Sequence, residues 1–157
     1  MKFLTIFPDE ANNNYRGIGL ALWFFYLYLA LIAFRSFTHM FAQDAGLNSI
    51  ASIIIFPAIN KLDPNSVIYA IGSLWGGSQI VVFLFLVIIL LKYKSLLSIA
   101  WLILVADNIL RIVTMMIHNL EPEYFTSTAP GGFVGTSIML FVTLIMFFIS
   151  LIERKQK

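Results

Sequence analysis

Two oppositely charged residues, Asp107 and Arg111, stand four positions apart inside an otherwise apolar run at residues 96–117. An ionised side chain costs about 2.5–3.5 kcal/mol at the centre of a bilayer, so such residues are rare in membrane-spanning segments. Residues spaced i, i+4 share a helix face, where the carboxylate and the guanidinium can partly neutralise each other. The pair is therefore either a structural ion pair or the polar centre of a functional pocket.

Further polar residues are predicted to converge near this pair. An earlier apolar segment ends with Arg35 and His39, again four positions apart, and runs in the same direction as the segment of Asp107. Both segments therefore bring an arginine and a histidine to the outer half of the predicted bundle. The candidate pocket, for an anionic, lipid-like or quinone-like ligand, comprises Asp107, Asn108, Arg111, His118, Arg35, His39 and Gln79.

The elements that must position these residues are four apolar segments. About 20 apolar residues cross a bilayer, and backbone groups at that depth must be paired within a helix. The chain is 60% hydrophobic and 11% charged, whereas a soluble domain carries about 25% charged residues. The sequence predicts an all-α integral membrane four-helix bundle, a single domain over residues 1–157, with helices at residues 17–34, 67–91, 96–117 and 133–152.

The links between these segments differ in length. A further apolar piece at residues 47–59 is too short to cross a membrane, and a polar run follows it. We expect a short interfacial helix there, with Asn48 or Ser49 as its N-cap. The link at residues 92–95 is very short, so the second and third helices are expected to be antiparallel neighbours.

The distribution of basic residues predicts the orientation. If the N-terminus is cytoplasmic, seven basic side chains fall on the cytoplasmic side and two on the other. Lysine and arginine are enriched in cytoplasmic loops, so we expect both termini and the link at residues 92–95 in the cytoplasm. The formal net charge of +2 gives no indication of a nucleic-acid partner.

Glycines on the second segment indicate close helix packing. Gly72 and Gly76 form a GxxxG match, and Gly77 follows. Without side chains, the backbone of a neighbouring helix can approach closely. We expect this face to pack inside the bundle, with self-association of two copies as the alternative.

The sequence excludes several kinds of chemistry. It contains no cysteine, which excludes disulfides, thiol catalysis and cysteine-ligated metals. His39 and His118 are predicted at similar depth, which leaves open a haem or a quinone between the helices. No histidine or carboxylate spacing indicates a dedicated metal site. No catalytic residue is assigned, and enzymatic activity is not expected.

The layout contains four features in order: Arg35 at the outer end of the first helix, the short piece at residues 47–59, a glycine-rich second helix at residues 65–77, and Arg111 in the third. In this layout most of the chain resembles small bacterial four-helix membrane proteins of the DoxX-like superfamily. The resemblance implies a bundle in the bacterial inner membrane, in a group whose members are described variously as quinone-linked oxidoreductase partners or as uncharacterised. Many relatives have a glycine where this chain has Leu110.

The sequence is compatible with three functions. A non-catalytic subunit of a larger membrane complex is favoured by the small size and the lack of a cofactor motif. The alternatives are a binding protein or small transporter for a ligand in the polar pocket, and a membrane redox component that uses quinone or haem. The expected partners are membrane lipid and other integral membrane subunits or a second copy of the chain.

Overall fold

The structure, a computed structural model, describes residues 3–126 and 131–154. This part of the chain is all-helical, as predicted, with four α-helices and no β-strand. Short 3-10 turns at Lys94–Leu96 and Pro122–Tyr124 precede and follow the third helix. The four helices are α1 (Gly19–Phe41), α2 (Pro64–Lys92), α3 (Leu97–Ile117) and α4 (Gly131–Ser150).

Helix lengths match the thickness of a bilayer. The 23, 29 and 21 residues of α1, α2 and α3 extend about 34, 43 and 31 Å at 1.5 Å per residue. All three are long and apolar enough to cross a membrane, and α4 is apolar over Val134–Ser150. The hydrocarbon core of a bilayer is about 30 Å thick, so these lengths are those of spanning helices.

Two helix ends differ from the prediction and affect the site. α1 continues to Phe41, beyond the predicted end at residue 34, because no proline or glycine follows Gly19 within it. Arg35 and His39 therefore lie on the last two turns of a helix, which fixes the direction of their side chains. α2 begins at Pro64, where the side chain of Asp63 accepts a hydrogen bond of 2.9 Å from the backbone N–H of Asn65.

The four helices form a ring with one loose side. α1 packs extensively against α2, and α3 packs extensively against α4, while α1 and α4 join the two pairs. α2 and α3 contact each other far less, although the short link between them predicted close neighbours. The link joins them at one end only, and we call the loosely packed side of the bundle beyond it the α2–α3 gap.

The bundle is divided along its axis into an apolar and a polar half. The buried core lies in the half near the link between α2 and α3, and Trp101 of α3 is fully buried there. The rings of Phe25 and Tyr28 on α1 contact this indole edge to face, at centroid distances of 5.4 and 5.8 Å. These edge-to-face ring contacts stabilise the core in addition to the burial of apolar surface. The other half contains the predicted polar residues.

The predicted interfacial helix at residues 47–59 is wrong. The segment between α1 and α2 forms turns and extended chain. Ser52, inside the predicted helix, has a positive φ angle of 58°, which a helix does not accommodate, and Ala45 and Gly46 just before it have positive φ angles of 50° and 68°. Asn48 also does not act as an N-cap, because its side-chain amide donates to the carbonyl of Ile53 at 2.8 Å.

The termini and the link between α2 and α3 meet at one end of the bundle. The backbone N–H of Leu4 donates to the carbonyl of Leu151 at 2.7 Å, and that of Ser95 donates to the carbonyl of Asn12 at 3.0 Å. The N-terminal segment therefore crosses this end of the helices. Three of the seven basic residues predicted for this side, Lys2, Lys155 and Lys157, lie outside the described residues.

Candidate functional site

Trp75 of α2 lies at the centre of the polar half. The guanidinium carbons of Arg35 and Arg111 lie 6.0 and 5.0 Å from the centroid of its ring. The ring centroid of His39 lies 4.5 Å from that of Trp75. Helices α1, α2 and α3 thus all contribute to one site, which we call the Trp75 cluster; it consists of Arg35, His39, Trp75, Gln79, Asp107 and Arg111.

The predicted pair of Asp107 and Arg111 is formed. The guanidinium donates two hydrogen bonds to the carboxylate, from Nε at 2.8 Å and from Nη2 at 3.1 Å. The Arg111 side chain is 13% exposed and that of Asp107 is 39% exposed. A bidentate pair of this kind is shorter and stronger than a neutral hydrogen bond. It fixes the plane of the Arg111 guanidinium against the ring of Trp75.

Arg35 is held differently. Its Nη2 donates to Oε1 of Gln79 at 2.8 Å, and Gln79 itself is buried. The Arg35 Nε is also buried, but it has no hydrogen-bond partner. A buried donor without an acceptor carries a desolvation cost of about 1–3 kcal/mol, and more when it is charged. Arg35 therefore offers an unused N–H at the centre of the site.

Charge in the cluster is not balanced. Arg35 and Arg111 each contribute a positive charge, because the guanidinium remains protonated in proteins. Asp107 supplies the one carboxylate among the cluster residues, and both of its oxygens accept from Arg111. The amide of Gln79 satisfies a donor of Arg35 without neutralising it. The site consequently carries a net positive charge and attracts an anion.

His39 connects the cluster to the loop that follows α1. Its Nδ1 lies 2.6 Å from the carbonyl oxygen of Ala45, which can only accept, so Nδ1 carries the proton. Gly76 makes this possible: a Cβ there would lie 2.5 Å from the backbone nitrogen of Met40. The close approach of α1 and α2 at Gly76 brings His39 and Trp75 into contact.

Two carboxylates fix the loop above the cluster. Asp44 accepts from the backbone N–H groups of Gly46 and Ser49 at 2.9 and 2.7 Å. Burial raises the pKa of Asp44, but the hydrogen bonds from Ser49 and Gly46 outweigh it and place that pKa below its ordinary value. The N–H and side chain of Asn65 lower the pKa of Asp63. Both groups therefore stabilise the loop at neutral pH and lose this effect below about pH 4.

Two predicted pocket residues lie outside the cluster. Asn108 is buried and donates to the hydroxyl of Tyr28 at 2.9 Å and to the carbonyl of Leu104 at 2.8 Å. It therefore joins α1 to α3 at the boundary of the apolar half. His118 is exposed and follows the last residue of α3. Because His39 is buried and His118 is exposed, the arrangement does not favour a haem held between the two imidazoles.

Trp75 itself was not predicted as a site residue. The sequence does contain a signal for it, since Trp75 lies four residues before Gln79 and between the glycines at positions 72 and 76. A large aromatic residue on a face of small residues is unusual for helix packing alone, because such faces usually admit a close backbone. The contact of two arginines with its ring depends on distances between helices, which the sequence pattern does not give.

A cavity of 360 Å³ lies at the opposite end, beneath the N-terminal segment, and not at the Trp75 cluster. Its wall includes the exposed residues Asp9, Glu10 and Arg16. Tyr15 also lines it, and burial raises the pKa of this phenol. We place the candidate site at the Trp75 cluster. Buried charges and a buried donor without an acceptor carry a much larger free-energy cost than the solvated polar residues that line the cavity.

Comparisons with known proteins give no relative of this chain. No protein-family model matches it, and no curated protein or solved structure matches it either. The resemblance to the DoxX-like superfamily therefore stays a prediction.

Proposed function

We propose that this chain is an integral membrane protein that binds the anionic group of a ligand at the Trp75 cluster, with Arg35 and Arg111 as the binding residues. One observation carries the proposal: two guanidiniums lie within 6.0 Å of one indole ring, and a single carboxylate offsets only one of their two positive charges. Charged side chains at this depth mark functional sites by default, because their cost is otherwise uncompensated.

The donors of the site favour an anion over a neutral quinone. Arg35 Nε is buried without an acceptor, and a phosphate or carboxylate oxygen would satisfy it and reduce the net positive charge at the same time. A quinone carbonyl would accept a hydrogen bond but leave the charge unchanged. The redox function and the DoxX-like activity remain alternatives with less support from the geometry.

Location in the bacterial inner membrane with cytoplasmic termini belongs to the same proposal. Its support is the excess of basic residues on the end of the bundle where the termini meet, together with the apolar length of α1, α2 and α3. In this orientation the Trp75 cluster lies in the extracytoplasmic half of the bilayer.

Thermal unfolding of the purified protein in dodecylmaltoside tests anion binding. Dioleoyl phosphatidylglycerol in mixed micelles and inorganic phosphate in solution are the two probes, added separately. At about 100 times the Kd, binding contributes about 2.7 kcal/mol, which raises the Tm by about 5–10 °C for a chain of this size. We expect at least one probe to do so in the wild type, and neither to do so in Arg35→Gln or Arg111→Gln.

Two further variants separate binding from general charge effects. Lys92→Gln removes one positive charge at the far end of α2 and should keep the full shift. Asp107→Asn frees both donors of Arg111 that now contact the carboxylate, so it should bind the anion at a lower concentration. A shift that persists in both arginine variants, or no shift with either probe, would show that the site does not bind anions.

An accessory-subunit function is the second candidate. It is favoured by the small size of the chain, since the described residues outside the four helices form only turns, extended chain and two 3-10 turns, and no second domain. Purification from native membranes in digitonin tests it. A stoichiometric larger partner would support this candidate, and a chain that elutes as a stable protein on its own would contradict it.

A further inference from the structure

The Trp75 cluster reaches the surface of the bundle where α2 and α3 pack loosely, at the α2–α3 gap. Arg111 on α3 reaches across this gap to the ring of Trp75 on α2. Trp75 is 38% exposed and the Asp107 side chain 39% exposed, although both contact buried groups. Leu74 on α2 and Leu110 on α3, each adjacent in sequence to a cluster residue, are apolar and exposed. Such a surface faces lipid when the helices cross a membrane.

The end of the bundle above the cluster is closed. His39 at the end of α1 is buried, and Ala45 of the loop between α1 and α2 is buried in contact with it. Residues of this loop also bond to the segment after α3, since the N–H of Thr126 donates to the carbonyl of Ser52 at 2.7 Å. The loop therefore extends from the α1–α2 pair to the segment that follows α3. A ligand from the aqueous phase would have to displace it.

The depth of the arginines suits a lipid headgroup. Arg35 lies six residues before the end of α1, and Arg111 lies six residues before the end of α3. Both are therefore about 9 Å from the helix ends, which is comparable with the headgroup layer of about 5–8 Å on each side of a bilayer. A phosphate anchored by acyl chains needs a displacement of only a few ångströms to reach this level.

We infer that the ligand of Arg35 and Arg111 is the headgroup of a net-anionic membrane phospholipid, which enters sideways through the α2–α3 gap. The inference rests on the proposed anion-binding function and adds the class and the route of the ligand. The phosphate contacts the two guanidiniums beside Trp75, and the acyl chains lie against exposed apolar side chains such as Leu74 and Leu110. Phosphatidylcholine is disfavoured, because its trimethylammonium group brings a positive charge to a positive site.

Quenching of tryptophan fluorescence by brominated lipid tests the route. The protein is placed in phosphatidylcholine nanodiscs that contain a small fraction of either phosphatidylglycerol or phosphatidylcholine brominated near the headgroup end of its acyl chains. The contribution of Trp75 is obtained as the difference between the wild type and Trp75→Phe. Trp23, 70% exposed on α1, and Trp101, fully buried, are internal references for lipid-facing and inaccessible rings.

We expect brominated phosphatidylglycerol to quench Trp75 at least twofold more than brominated phosphatidylcholine, and to quench Trp23 equally with both lipids. Arg35→Gln and Arg111→Gln should remove the preference, and Lys92→Gln should retain it. Millimolar glycerol phosphate outside the nanodisc should not compete. If Trp75→Phe does not fold, Trp75→Tyr supplies the same difference spectrum.

Three other outcomes overturn the inference and can be told apart. Equal quenching of Trp75 by both lipids shows an ordinary lipid-facing surface. Tm shifts with inorganic phosphate but not with phosphatidylglycerol, lost in both arginine variants, show an anion site that is reached from water. In both of these cases, the proposed anion binding is still supported if the Tm shift is lost in the arginine variants. Quenching and Tm shifts that are both independent of Arg35 and Arg111 refute the proposed function as well.

Discussion

The ring of Trp75 allows two like charges to occupy one site. The face of an indole is electronegative, and a guanidinium over it gains about 0.5–1 kcal/mol when exposed and about 2 kcal/mol or more when desolvated. Arg35 and Arg111 both use this ring. Asp107 then has to offset their mutual repulsion alone among the cluster residues. The stability of the cluster therefore depends more on this carboxylate than on either arginine.

A double-mutant cycle measures this dependence. Asp107→Asn leaves two positive charges around Trp75, whereas Arg111→Gln leaves Asp107 partly exposed and facing the remaining arginine. We expect the first variant to lower the free energy of unfolding more than the second. The double variant should lose less than the sum of the two, with a coupling of about 0.5–3 kcal/mol. Unfolding in mixed micelles, followed by circular dichroism, provides the free energies.

Additive effects in that cycle, or a larger loss in Arg111→Gln than in Asp107→Asn, would contradict the charge balance described for the cluster. Asp9→Asn is a suitable control, because Asp9 is an exposed carboxylate on the N-terminal segment. It should leave the free energy of unfolding unchanged within about 0.5 kcal/mol.

Among the elements, the contact between α1 and α2 decides where the cluster forms. A Cβ on Gly76 would lie 2.5 Å from the nitrogen of Met40 and 2.6 Å from the carbonyl carbon of His39, and both are backbone atoms that cannot move independently. A Cβ on Gly72 would meet the side chains of Ala45 and Leu47 at 3.0 Å. The predicted packing face is thus occupied by the same chain, which leaves little room there for a second copy.

Gly76→Ala should separate the outer ends of α1 and α2. We expect a loss of about 1–3 kcal/mol in stability, the usual cost of overpacking, together with loss of the anion-dependent rise in Tm, because His39 and Arg35 move away from Trp75. Thermal unfolding with and without phosphatidylglycerol measures both effects.

Gly135→Ala is the matched control for that substitution. Gly135 lies inside α4, and a Cβ there has no neighbour within 4 Å. Alanine is favoured over glycine in a helix by about 1 kcal/mol, so this variant should be neutral or more stable. Equal destabilisation by both substitutions would mean that the loss of a glycine, and not the clash with α1, is responsible.

The molecule as a whole has two different ends. The termini and the link between α2 and α3 meet at the apolar half, and the loop between α1 and α2 covers the polar half. α1 and α3 both point from the first end to the second, because the chain enters them there. If the helices cross a membrane as proposed, the orientation of any single loop also determines the side on which the cluster lies.

Labelling of single introduced cysteines tests on which side of the membrane each end of the bundle lies. The chain itself contains no cysteine that would interfere. Lys92→Cys and Glu123→Cys are both exposed positions at opposite ends. In intact spheroplasts, an impermeant maleimide should label Glu123→Cys and leave Lys92→Cys unlabelled until the membrane is permeabilised. The reverse pattern would place the Trp75 cluster in the cytoplasmic leaflet and refute the predicted orientation.

The sequence by itself determined the four helices and identified all three charged residues of the Trp75 cluster. Helical spans follow from local hydropathy, since a long apolar run must pair its own backbone groups. The pairing of Asp107 with Arg111 also follows from one helix alone, because their spacing is intrahelical. The segment at residues 47–59 was predicted wrongly because its apolar composition is compatible with a helix. Turns form there because the side chain of Asn48 donates to the carbonyl of Ile53 and the carboxylate of Asp44 accepts from the N–H of Gly46.

Tertiary structure decided what the sequence left open. The helices pair as α1 with α2 and α3 with α4, although the shortest link joins α2 to α3. Gly76 contributes to the first pairing, because it lets the backbone of α1 approach α2 closely. His39 joins the site and His118 does not, since only one of them is covered by a loop. The central position of Trp75 was also decided by tertiary structure, because contacts between helices depend on distances that no single segment encodes.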